Sequence, residues 1–256
     1  MGAGDGTLAR QLIESLAAVP IRYSAIERIA AAREALARLG TVDVGEGLHG
    51  EPHLVLAHEL LDNLPFRRFR GAREVLVGLD GDRFVEILTH HGEEGADETL
   101  LPQGALAFLD ELASRLTRGY ALLIDYGGWG DPGGPAHGYR AHRVVEDVLA
   151  NPGRADITAG VDFERIARHA EELGFAVLGN ISQHDALMSL GFESWIRDEL
   201  AQQARLLDER RGLEAVRTWS GRSRASLLAD PAALGRLRWV LLAAGRLSSP
   251  SWLSPS

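Results

Sequence analysis

The feature that most constrains this chain is its opening, where residues 1–7 read Met-Gly-Ala-Gly-Asp-Gly-Thr and run straight into a helix-forming segment. Glycine tolerates φ > 0 and lets a ligand approach the backbone closely. The free N–H groups of the helix that follows attract polar groups of that ligand. A turn of this kind joins the first strand of an α/β domain to its first helix, yet the apolar strand that should precede it is missing from the sequence. The opening therefore predicts a nucleotide-like cofactor and, at the same time, a sheet short of its first strand, with neighbouring edges left to be managed. A dinucleotide fingerprint reads G-x-G-x-x-G, whereas Gly2, Gly4 and Gly6 are evenly spaced.

Periodicity extends this reading along the chain. Leu8, Leu12, Ile13 and Leu16 share one face of a helix over residues 7–18, with Asp5 or Thr7 as its cap and Pro20 beyond its end. Residues 21–26 read as a strand, 29–39 as an Ala/Arg-rich helix, and 41–44 and 53–57 as further strands. A hairpin over 74–79 and 83–88, a helix over 104–117 and an apolar strand over 120–125 follow. This alternation predicts a single α/β domain over residues 1–256. The Gly/Pro-rich stretch 127–138 reads as an irregular functional loop or lid, and residues 138–143 and 156–163 bracket a loop-helix segment dense in His, Arg, Tyr and Asp. Beyond a helix over 162–173 and a strand over 175–180, residues from 185 to about 228 read as a helical insertion or cap. Asp230 is placed to cap a last short helix before a strand over 236–243, and the tail 248–256 reads as frayed.

Composition excludes several classes of function. The net charge of −9 argues against a nucleic-acid surface, which needs clustered Lys and Arg to neutralise phosphates. With no cysteine there is no disulfide, thiolate zinc site or cysteine nucleophile, which points to a reducing compartment. No segment approaches the roughly 20 apolar residues needed to span a bilayer, and the N-terminus lacks a secretory pattern. A cytoplasmic protein without membrane or nucleic-acid partners is expected, and the abundance of Ala, Leu and Arg suits a GC-rich bacterial genome. The spacing of the histidines predicts no metal site.

Two carboxylate groupings stand at the ends of apolar strands, where open α/β sheets bind ligands. Glu27 lies 21 residues after Gly6 at such an end, suited to accept hydrogen bonds from ribose hydroxyls, or else an acid stabilised by a helix dipole. The strand over 53–57 runs into His58, Glu59 and, three residues on, Asp62. Two carboxylates spaced i and i+3 can share a helical face and receive a planar guanidinium, the alternative being that they cap the helix expected to start there. The strand over 120–125 repeats the geometry, with Asp125 and Tyr126 emerging into the glycine-rich loop.

An ordered set of motifs then resembles a known family. Gly2-Ala-Gly-Asp-Gly-Thr, Ala57-His-Glu-Leu-Leu-Asp-Asn-Leu-Pro65, Leu123-Ile-Asp-Tyr-Gly127, Tyr139-Arg-Ala-His-Arg143, Asp156-Ile-Thr-Ala-Gly-Val-Asp-Phe163 and Ser182-Gln183 followed by Leu190-Gly191 occur in the order seen in the MidA-like family. That family consists of class I S-adenosylmethionine (SAM) methyltransferases and includes the mitochondrial arginine methyltransferase of respiratory complex I assembly. The resemblance implies a Rossmann-like class I methyltransferase sheet, here without its first strand, and SAM as cofactor. It implies that Gly2, Gly4 and Gly6 line the methionine and ribose part of SAM, that Glu27 holds the ribose, and that His58 adds to the cofactor contacts where the family commonly has Asn. Glu59 and Asp62 would lie beside the transferred methyl, with Asp125 and Tyr126 on the same rim, and the acceptor would be an arginine nitrogen of a protein such as a respiratory complex subunit. Gly160 stands where the family commonly has His. Two alternatives stay open: a catalytically weak assembly or binding protein that retains the fold, and a nicotinamide-dependent oxidoreductase, which the glycine spacing disfavours.

Overall fold

The structure is a computed structural model that describes residues 3–40, 42–93, 95, 97–131, 134–140, 143–145, 147–150 and 153–253. Gly2 of the glycine turn, Thr41 at the start of an expected strand, and Ala141 and His142 of the Tyr139–Arg143 motif lie outside the described residues.

The first helix, α1 (Thr7–Ser15), starts from Gly6 in the left-handed conformation at φ 81° rather than from a side-chain cap. Asp5 nonetheless accepts the Thr7 amide at 3.0 Å. A Cβ on Gly6 would stand 3.0 Å from the Leu36 side chain, so both the dihedral and the packing call for glycine. Strands β1 (Tyr23–Ile26) and β2 (Val42–Gly45) pair in parallel around α2 (Ala30–Ala37). Ala9, Ala25 and Leu36 form a small core between these elements.

A larger core belongs to the sheet in which β3 (Leu54–His58) is an outer strand. After β3 a short 3-10 turn, Leu61–Asn63, leads into an antiparallel sheet of β4 (Arg67–Arg70), β5 (Arg73–Asp80), β6 (Arg83–Leu88) and β7 (Glu98–Leu101), in the order β6-β5-β4-β7. Sequence reading finds the hairpin of β5 and β6 but misses β4 and β7. An ion pair crosses between these two strands, Arg68 meeting Glu98 at 2.7 Å, and Arg68 also reaches Glu86 of β6 at 2.6 Å, so charged residues stand where an apolar alternation would be looked for.

Helix α3 (Gln103–Arg115) returns the chain to the central strand β8 (Gly119–Asp125), which pairs in parallel with β3. Beyond β8, the loop read as irregular begins with β9 (Gly127–Gly128) and ends in β10 (His137–Arg140). Strand β10 pairs antiparallel with β11 (Arg143–Val145) and β12 (Asp156–Thr158), so the expected loop-helix segment is a small three-stranded sheet. Its strands are too short and polar to announce themselves. Then come β13 (Val161–Asp162), α4 (Phe163–Glu172), β14 (Ala176–Ser182), α5 (Gln183–Ser189), α6 (Phe192–Asp208), α7 (Gly212–Ala229) and β15 (Arg238–Ala244). Asp162 caps α4 by accepting the amides of Glu164 and Arg165. Where a short helix capped by Asp230 is expected, the chain makes a 3-10 turn, Leu234–Arg236.

The central sheet has the order β14-β15-β8-β3, with β15 antiparallel to both neighbours. Ala121 and Leu123 of β8 and Leu242 of β15 are fully buried, together with Leu109 and Leu112 of α3 and Phe163 and Ile166 of α4. Helices cover these strands, which explains their continuous apolar runs. Among the described residues no strand joins the β1–β2 pair to this sheet. No described helix is long and apolar enough to cross a membrane.

Candidate functional site

The first constellation is the glycine turn and Glu27. Gly4 at φ 55° and Gly6 at φ 81° curl the backbone back on itself, and the Ala3 amide donates to the Ile26 carbonyl at the end of β1. Glu27, buried just past β1, accepts the Gly4 amide at 3.1 Å through one carboxylate oxygen and the Ile29 amide at 2.9 Å through the other. The sequence places these residues together only by analogy of spacing. The structure joins them directly, and each oxygen of Glu27 keeps a second lone pair for a ligand hydroxyl.

The second constellation forms where β3 and β8 end side by side. Asp125 is fully buried, and its carboxylate accepts the Leu61 amide at 2.7 Å, the Asp62 amide at 3.4 Å and the Tyr126 amide at 2.8 Å. These bonds hold the 3-10 turn in place and set Asp62 against Asp125. The expected α-helical face carrying Glu59 and Asp62 does not form. Pro65 has no N–H to continue a helical ladder, Asp125 takes the amides at the start, and Glu59 adopts φ 47°. Left-handed backbone costs a non-glycine residue roughly 1–2 kcal/mol. It turns Glu59 out to an exposed position, where its carboxylate lies 3.5 Å from His58 Nδ1. Asn63 donates to Asp62 Oδ1 at 2.6 Å, and the Asp62 carbonyl receives the Ala159 amide at 3.0 Å.

Burial dominates the electrostatics. It pushes Asp62 up to about 6, with the charge of Glu59 adding to the rise and hydrogen bonds from Asp125 and Asn63 opposing it. Asp125 rises to about 8, through burial first and the charge of Asp62 second, against the backbone amides that favour its anion. The two carboxyls face one another, so their protons belong to the pair. Tyr126, beside them, is held above the usual phenol range by burial and then by Glu59, with Arg236 opposing. The Arg236 guanidinium carbon sits 5.5 Å from the centre of the Tyr126 ring.

Glu59, Asp62, Asp125 and Tyr126 are thus one cluster, with His58 at its edge, while Gly4, Gly6 and Glu27 form the other. Arg236 belongs to the acid cluster and is missed by sequence reading, which assigns it to the last strand. The signal that could have found it is a cation directly ahead of an apolar run bound for the sheet. A recess lined by Leu61, Leu64, Ala159 and Gly160 flanks the turn, and a cavity of about 500 Å³ bordered by Asp97, Glu98, Gly130, Asp131 and Asp162 lies beyond it. Leu100 and Asp162 line both. Among the described residues no group of three or more acidic or histidine side chains is placed to hold a metal ion.

Comparison with known proteins gives this arrangement a lineage. Residues 1–181 match the family described as "Putative S-adenosyl-L-methionine-dependent methyltransferase". The mitochondrial protein arginine methyltransferase NDUFAF7 of Xenopus tropicalis is 32% identical over 157 residues, covering 54% of this chain and 36% of the relative. Its Homo sapiens counterpart is 36% identical over 157 residues, covering 54% and 35%. The match therefore spans little more than a third of those relatives. Two crystal structures from Burkholderia thailandensis share the fold. One, bound to S-adenosyl-homocysteine, has a TM-score of 0.78 at 24% identity and covers 98% of this chain and 72% of that one. The other has a TM-score of 0.81 at 23% identity and covers 99% and 75%. With the family match extending over well over half of its residues and a Rossmann-like sheet to carry it, the chain belongs to this family of SAM-dependent methyltransferases.

Proposed function

We propose that this chain binds SAM at the glycine turn and Glu27 and transfers its methyl group to an arginine nitrogen of a protein. The observation that carries the reading is the trio of Glu59, Asp62 and Asp125 at the adjoining ends of β3 and β8. The cofactor fits the turn on chemistry: left-handed glycines leave the backbone bare, a Cβ on Gly4 would meet nothing within 4 Å, and Glu27 offers free lone pairs. Bound SAM supplies an electrophilic methyl on a sulfonium, so the protein needs chiefly to align and desolvate the acceptor. Glu59 is exposed and able to meet a guanidinium at the rim. Asp62, held upright by Asn63 and by its turn, orients it from below. Ionised Asp62 then takes the proton that the methylated nitrogen releases. Asp125 holds the turn that presents both. The arginine acceptor is supported by the names of the mitochondrial protein arginine methyltransferase relatives, and a respiratory complex subunit as the protein partner is carried over from the family resemblance of the motifs.

The test is calorimetric titration of S-adenosyl-homocysteine into the wild-type chain and Glu27→Ala, followed by transfer of labelled methyl from SAM to Nα-acetyl-arginine methylamide. Binding that Glu27→Ala removes, together with transfer that Glu59→Gln lowers at least tenfold, supports the reading. A folded chain that binds nothing overturns it. The second reading, a partner-binding protein that keeps the fold, is supported by the exposed Leu213, Val216 and Trp219 along α7. Cofactor binding with no transfer would favour it.

A further inference from the structure

Arg236 stands at the acid rim without the partner that an arginine in such a place ordinarily has. Its backbone is fixed: the Gln183 side chain donates to the Leu234 carbonyl at 3.1 Å and to that of Leu228 at 2.9 Å, and the Gln183 amide donates to the Leu237 carbonyl at 2.7 Å. Gly235 donates its amide to Asp230 at 2.9 Å, and the Leu237 side chain is buried. Two residues on, Arg238 is tied down through its side chain, which donates to Asn180 Oδ1 at 3.0 and 2.7 Å. Arg236 differs. Among the described residues its side chain makes no ion pair or hydrogen bond, it is exposed, and its guanidinium stacks over Tyr126. The charges of Glu59, Asp62 and Asp125 act on the same tyrosine, so a cation has come to rest within an acidic field on an aromatic face.

A guanidinium over a tyrosine ring beside carboxylates is what an acceptor arginine would present at this rim, and here the chain presents one of its own. We propose that Arg236 is a resident occupant of the guanidinium berth formed by Tyr126 and the acid cluster, and that it sets acceptor affinity by having to swing aside. The proposal rests on the arginine-acceptor reading above. A single stacking contact at an exposed position is weak enough to be exchanged, and the anchored backbone ensures that the side chain alone moves. Two guanidinium ions cannot share one ring face without like-charge repulsion. Occupancy by Arg236 therefore weakens an incoming guanidinium in proportion to the time the berth is filled, since apparent affinity scales with the competent fraction.

The experiment is calorimetric titration of Nα-acetyl-arginine methylamide into the wild-type chain, Arg236→Gln, Arg236→Lys and Glu59→Gln, with a thermal melt by circular dichroism on each. Binding about 3–10-fold tighter to Arg236→Gln than to wild type, with a smaller gain in Arg236→Lys and weaker binding in Glu59→Gln, supports the proposal. Lysine retains the charge but stacks less well, so it keeps the test open should the glutamine variant fail to fold. Equal or weaker binding to the Arg236 variants, alongside the loss in Glu59→Gln, overturns the role of Arg236 and leaves the arginine-acceptor reading standing. No binding to any variant overturns both.

Discussion

Asp62 and Asp125 are the residues whose chemistry is most altered by their place in the fold. Both carboxyls are pushed above their ordinary value of 3.8, to about 6 and about 8, chiefly by burial. A folded-state value above the unfolded one means that the pair contributes stability at low pH and that this contribution is lost as pH rises through the raised values. Urea unfolding of the wild type is therefore expected to show falling stability between about pH 4 and pH 8 relative to Asp62→Asn, in which the buried like-charge pair is gone. A constant difference between the two proteins across that range would refute the shared titration. Glu59 offers a second prediction. Its left-handed backbone costs it roughly 1 kcal/mol or more that glycine would not incur, so Glu59→Gly is expected to unfold at higher urea while losing acceptor binding. The four rim residues were legible in the sequence because they follow apolar strands that end in acids. The φ of Glu59 was not, since it follows from Asp125 capturing the amides of a turn 64 residues away.

At the scale of elements, the rim depends on a contact two residues long. Gly127 and Gly128 pair in parallel with Val161 and Asp162, and a Cβ on Gly127 would fall 2.0 Å from the Val161 carbonyl oxygen. Backbone cannot yield as a side-chain tip does. Gly127→Ala is thus expected to destabilise the chain by about 2 kcal/mol or more and to loosen the loop behind Tyr126, measured by urea unfolding and by proteolysis within residues 127–138. Elements with strong apolar periodicity, such as α3, β8 and α4, lie within a few residues of where the sequence puts them. Strands β4, β7 and β10 to β12 escaped it. Their pairing is written in arginine–glutamate contacts and short polar stretches, whose partners are distant in sequence and carry no period of their own.

Among the described residues the molecule has two cores of unequal size. Ala9, Ala25 and Leu36 make a small one beneath the glycine turn, whereas Leu109, Leu123, Phe163 and Leu242 belong to a much larger one. Opening the smaller core exposes less apolar surface and costs less free energy. Native-state hydrogen exchange is expected to be faster in α1, β1 and α2 than in β8 and β15, and S-adenosyl-homocysteine is expected to slow the former selectively. Uniform exchange across both would contradict the division. The glycine spacing and the strand-terminal Glu27 made this half of the candidate site readable. The separation of the cores was hidden, because it arises from how helices cover strands rather than from any local pattern.

The reversed strand β15 has a consequence for how the protein is made. Its residues pair with β8 across the full length from Arg238 opposite Asp125 to Ala244 opposite Gly119, yet more than a hundred residues separate the two in the chain. At typical synthesis rates of about 5–20 residues per second, β8 emerges from the ribosome on the order of ten seconds before its neighbour exists. For that interval a seven-residue apolar strand waits with one side bare. The nascent chain thus carries a sticky, unfinished surface until β15 is added, and an early stop codon anywhere in α6 or α7 would release that surface for good.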